Sequence, residues 1–89
     1  MAETTKAAIT KDWSKIADGQ CEVQSVDDRD AFGKTYFDMV IGASQPASDT
    51  DTFMRITLAE HANFHRESPV WLRLNADSTK DSQTIIVIK

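Results

Sequence analysis

Cysteine is almost missing from this 89-residue chain: Cys21 stands alone, so no disulfide can close within it. No Lys or Arg stands beside it to lower its pKa, and in "GQCEVQ" it reads as a small buried hydrophobe rather than a nucleophile. Three glycines and two prolines are too few for a collagenous or low-complexity chain. No basic run exists either, since ten Lys and Arg are scattered among fourteen Asp and Glu for a net charge of −4. Nucleic acid is therefore not an expected partner, because phosphate neutralisation needs clustered cations. No apolar stretch is long enough to cross a membrane, and "MAETTKAAITKD" lacks the apolar core of a secretory leader. The expectation is a protein made and kept in a reducing cytosol, or assembled there into something larger.

What is present is a globular composition, 40% apolar and 27% charged. At this length one domain is expected, just above the size at which a single core becomes a marginal source of stability. Residues 1–11 are Thr- and Ala-rich and read as an extended N-terminal arm, held by a neighbouring subunit or partner. From residue 12 to 89 the apolar residues recur with the period of strands. "DWSKIA", the dipeptide Asp18-Gly19 and "QCEVQSV" read as a hairpin, with Cys21 and Val23 on one face. "DDRDAFGK" reads as a charged loop. In "TYFDMVI", Phe37, Met39 and Ile41 share a face opposite Tyr36, Asp38 and Val40.

"FMRITL" alternates Met54, Ile56 and Leu58 against Phe53, Arg55 and Thr57, and "VWLRL" sets Val70, Leu72 and Leu74 against Trp71 and Arg73. The β-branched run "QTIIVIK" is a buried strand with both faces apolar, one of which is free to meet another chain. "LAEHANFHRE" suits either two helical turns or a wide connection, and the connection is preferred because Leu58, Ala62 and Phe64 make no helical stripe. The eleven polar residues Gly42 to Thr52 read as a crossing between two sheets. The fold expected is all-β: a small antiparallel β-sandwich or barrel of about five to seven strands with an extended N-terminal arm.

Motifs for chemistry are weak. "GKT" at Gly33 to Thr35 lacks the first glycine of a phosphate loop, whose place is taken by Asp28, and a strand follows it. As a calcium loop, "DDRDAFG" has carboxylates at Asp28 and Asp30 and a glycine at Gly33, but Phe32 and Met39 stand where oxygen ligands belong. No serine sits in a nucleophile elbow. His61 and His65 lie four apart, the spacing for gripping zinc from one helical face, and without a clear third ligand they are only weak metal candidates. No catalytic constellation, cofactor or metal is expected. Trp13 and Trp71, near Lys15 and Arg73, suit the closure of a β core or a subunit interface, and with Phe53, Tyr36 and Arg73 they are the candidate interface residues.

Taken in order, "WSKIADGQCEVQ", "VIGASQPASDTDTFMRITL", "SPVWLRL" and the β-branched terminal strand resemble a pattern found in small all-β accessory virion proteins of tailed bacteriophages. The resemblance covers residues 12–89 and departs from the pattern in "AEHANFHRE", where a tight turn is expected. It implies a structural virion protein, foremost a capsid decoration or cement protein, homo-oligomeric with a trimer as the candidate state, that binds the major capsid protein or other virion proteins and is assembled in the host cytoplasm. Trp13, Trp71, Phe53 and pairing of the arm with a sheet edge would then supply the binding energy. The alternative is a tail- or fibre-associated receptor- or carbohydrate-binding module, with exposed Tyr36 or Trp71 stacked on a ligand and flanked by Asp38 or Arg73.

Overall fold

In the computed structural model, which describes residues 3–26, 33–65 and 67–89, the runs of alternating hydrophobicity form eight strands and no helix. They are β1 (Thr4–Thr10), β2 (Ser14–Ala17), β3 (Cys21–Ser25), β4 (Tyr36–Ile41), β5 (Met54–Thr57), β6 (Ala62–Phe64), β7 (Val70–Leu74) and β8 (Ser82–Ile88). Two four-stranded antiparallel sheets result, ordered β1-β8-β3-β6 and β2-β7-β4-β5. Among the described residues no helix is long and apolar enough to cross a membrane.

Period-two alternation places the core. Val70, Leu72 and Leu74 of β7, Phe37 and Met39 of β4, Ile85 and Val87 of β8 and Val23 of β3 are all buried between the sheets. Each such side chain contributes about 1.5–3 kcal/mol by leaving water. Leu58, just past β5, is also fully buried. Its carbonyl accepts both the backbone N–H (2.8 Å) and the hydroxyl (3.0 Å) of Ser25, which ties the end of β5 to the end of β3 across the sandwich.

The all-β expectation holds, and several finer expectations do not. Among the described residues the strands number eight rather than five to seven. Residues 4–10 of the expected N-terminal arm form β1, which pairs with β8 along its whole length from Thr4↔Ile88 to Thr10↔Ser82. The alternation of Thr5, Ala7 and Ile9 toward the core explains this, since Ile9 is fully buried and Ala7 packs beside the core.

The stretch around Asp18-Gly19 is a crossing, not a hairpin: β2 pairs with β7, while β3 pairs with β6 and β8 in the other sheet. Its glycine does not take the positive φ that a tight hairpin needs, and among the described residues Gly33 is the glycine that does, at +106°. At this bend Lys15 Nζ lies 2.8 Å from Asp18 Oδ1 in an exposed ion pair. Conversely, Gly42 to Thr52 does not cross between sheets. It joins β4 to β5, adjacent strands of one sheet, so it is a long hairpin loop.

"LAEHANFHRE" contains β6, which pairs with β3 from Cys21↔Phe64 to Val23↔Ala62, so it is neither a helix nor a simple connection. Met54 is 62% exposed although its alternation groups it with Ile56 and Leu58, because β5 is the sheet's outer strand. Residues 27–32 of the expected charged loop lie outside the described residues.

Candidate functional site

The central strands of the second sheet, β4 and β7, each carry one charge on the face turned away from the core. The register sets these two, Asp38 and Arg73, directly opposite each other. On an open sheet both would be hydrated. Instead Asp38 is 1% exposed, and its carboxylate accepts from Arg73 Nε at 2.8 Å through Oδ2 and from Asn75 Nδ2 at 2.8 Å through Oδ1.

The cover is the β4–β5 loop, which folds back over this outer face. Arg73 reaches it from below, with its two terminal nitrogens donating to the carbonyls of Ser48 (2.9 Å) and Thr50 (3.5 Å). Trp13 Nε1 donates to the Ala47 carbonyl at 3.2 Å, and Trp71 Nε1 to the Gly42 carbonyl at 3.0 Å. The guanidinium lies 4.3 Å from the Trp13 ring centroid and 5.2 Å from that of Phe53, so it is held between two aromatic faces. A planar fork with five donors is the side chain that can satisfy a carboxylate and two carbonyls at once.

The loop's own chemistry fits this path. The Thr50 N–H donates to the Ala47 carbonyl at 3.1 Å, and the Thr52 N–H to the Thr50 hydroxyl at 3.2 Å, which turns the backbone at the far end. At the near end the Gly42 N–H donates to the Pro69 carbonyl at 3.0 Å, extending the β4–β7 ladder by one bond. The loop side chains Ala43, Ser44, Gln45, Ala47, Ser48 and Asp49 remain exposed to solvent.

Four of the five interface candidates, Trp13, Phe53, Trp71 and Arg73, therefore come together, but around an internal fastener. Trp13 is only 7% exposed. Tyr36 lies apart, 37% exposed, with the Arg55 guanidinium 4.1 Å over its ring. The sequence reading places Asp38 on the outer face of its strand and at the flank of a ligand platform, and gives Asn75 no role. The signal for Asp38 is a lone acid in an apolar strand matched by a lone base, Arg73, in another, but only the register shows that they are neighbours.

His61 and His65 do not form a pair. They flank β6 rather than share a helical face, and a strand separates such positions by about 13 Å. His61 Nε2 lies 3.1 Å from Glu22 Oε2 at the surface. His65 lines a shallow cleft of about 220 Å³ with Gln20, Cys21, Glu22, Asn63, Phe64, Ile88 and Lys89. Among the described residues no group of three or more His, Cys, Asp or Glu is placed to hold a metal ion. Burial pushes the Cys21 thiol up from its ordinary pKa, against a weaker opposing pull from Lys89.

Chemically, the Arg73 cluster is arranged to hold rather than to react. Both Asp38 oxygens are engaged, as are the guanidinium and both indole N–H groups, so the cluster itself offers neither a free base nor an open ligand platform. No known protein family, curated protein or solved structure matches this chain.

Proposed function

We propose that the chain is an accessory structural protein of a tailed-bacteriophage particle, foremost a capsid decoration or cement protein that self-associates and binds the head shell. The observation that carries this reading is the fastened β4–β5 loop. A twelve-residue polar connection in so small a protein is normally a mobile segment, whereas here Arg73, Trp13 and Trp71 bind four of its carbonyls and leave Ala43, Ser44, Gln45, Ala47, Ser48 and Asp49 exposed. A pre-organised, exposed loop loses little entropy on docking, which suits a protein whose task is to bind other proteins over a surface. The loop also carries "GASQPASDT", the part of the sequence at the centre of the resemblance to phage virion proteins.

The carbohydrate-binding alternative has less support from the same geometry. Both tryptophan N–H groups bond to loop carbonyls, and Tyr36 beside Arg55 is left as the aromatic a sugar could stack on. In the decoration reading, purified protein mixed with head particles assembled without it co-sediments at a saturating ratio and appears at fixed lattice positions by electron microscopy. Protein that stays in the supernatant at every ratio overturns the reading, and glycan-array hits abolished by Tyr36→Ala would favour the alternative.

A further inference from the structure

Each sheet of the sandwich has two edges, and three of the four are blunted. β6 has three residues, β5 has four and carries Arg55, and β2 has four with a register shift between Lys15 and Ala17. Short length, charge and bulges are the usual protections against edge-to-edge pairing. β1 has none but a single lysine: it runs seven residues, Thr4–Thr10, in unbroken register with β8.

The phase of that ladder fixes which backbone groups are free. Glu3 and Lys89 exchange both bonds, Glu3 N–H to Lys89 O at 3.1 Å and Lys89 N–H to Glu3 O at 3.0 Å. Thr5, Ala7 and Ile9 therefore point their backbone groups at β8, and Thr4, Lys6, Ala8 and Thr10 point theirs away from the sheet.

We infer that β1 pairs antiparallel with β1 of a second copy of this chain about a two-fold axis through Ala7, joining the two β1-containing sheets into one. Charge and the length of overlap select this register, since a centre at Ile9 sets Lys6 against Asp12 but keeps only residues 8–10 of the strand in the ladder. Centring on Ala7 sets Glu3 opposite Lys11 on both sides of the axis, and both residues are exposed. Centring on Lys6 sets that ammonium against its own copy, and centring on Ala8 leaves Glu3 without its lysine. In the Ala7 register Lys6 faces Ala8, and Thr4 faces Thr10. Each of these pairs exchanges both backbone bonds, and all the groups used belong to the free set.

This inference rests on the self-association part of the reading above, and the two can fail separately. A monomer that still binds head shells removes the dimer alone, whereas a dimer that binds no shell removes the decoration role alone.

Sedimentation equilibrium of the wild-type protein tests it, together with three substitutions. Ala8→Pro deletes an outward N–H and leaves the β1–β8 ladder intact, so the melting temperature measured at concentrations where the protein is monomeric is kept while the dimer weakens about thirtyfold, for one bond lost from each copy. Lys11→Glu weakens the dimer, and adding Glu3→Lys restores it. Ala7→Cys brings two thiols within disulfide reach across the axis, so oxidation yields a covalent dimer, whereas Ala8→Cys, offset from its own copy, does not cross-link. A wild-type monomer or trimer, a dimer indifferent to Ala8→Pro, or equal cross-linking at positions 7 and 8 overturns the inference. A monomer would leave the β1 edge to an extended segment of another protein.

Discussion

Arg73 is the residue on which the outer face of the second sheet depends. Asp38 is almost fully covered, and its charge is tolerable because a guanidinium and an amide satisfy its two oxygens. Arg73→Ala leaves that carboxylate without its cation, and urea unfolding is expected to show a loss of about 3 kcal/mol or more. The double variant Asp38→Asn/Arg73→Met removes both charges and is expected to lose clearly less than the sum of the single changes. Additive effects would mean that the two residues do not act as a pair. Cys21 gives a second residue-scale test. Its raised pKa means that the folded state favours the neutral thiol. This contribution to stability is present below the ordinary thiol value of 9.0 and is lost as the pH rises through the higher folded value. Thiol reagents are expected to modify Cys21 slowly in the native protein and rapidly in urea, and equal rates would contradict its burial.

Elements were legible in the sequence where alternation was strong, and their partners were not. "VWLRL" and "TYFDMVI" predict buried Val70, Leu72, Leu74, Phe37 and Met39, and these form the core. Pairing fails as a prediction because Asp18-Gly19 carries a hairpin's composition without its dihedral, and local chemistry does not say which sheet receives the next strand. The arm fails for another reason: one buried Ile9 and a half-buried Ala7 give too weak a signal against the five polar or small residues that make up the rest of β1, yet β8 pairs with it along its whole length. The candidate site was legible as a set of residues, Trp13, Phe53, Trp71 and Arg73, but its purpose required the register and the path of the loop. The glycines allow a test at this scale. Gly33 sits at φ +106°, so Gly33→Ala is expected to cost about 1–3 kcal/mol in thermal or urea unfolding despite open space around its Cβ. Gly42 has the same open space without the strained φ, and its role is carried by its N–H and C=O, so Gly42→Ala is expected to be nearly neutral. Equal losses at the two positions would contradict the backbone assignment.

At the scale of the whole molecule, the chain alternates between sheets at nearly every connection, and β4–β5 is the consecutive pair that stays in one sheet. That pair is joined by the longest polar loop among the described residues, and Trp13, Trp71, Phe53 and Arg73 are gathered about it. In the decoration reading proposed above, the surfaces that would meet partners are the exposed side of that loop and the free edge of β1. Everything rests on the loop being part of the rigid body rather than a tether. Backbone 15N relaxation tests this most directly, comparing residues 42–53 in the wild type and in Arg73→Met. The expected result is order parameters near those of the strands, about 0.85, throughout the wild-type loop, falling below about 0.6 in the loop alone when Arg73 is replaced. A loop already below about 0.6 in the wild type, or one unchanged by the substitution, would contradict the account.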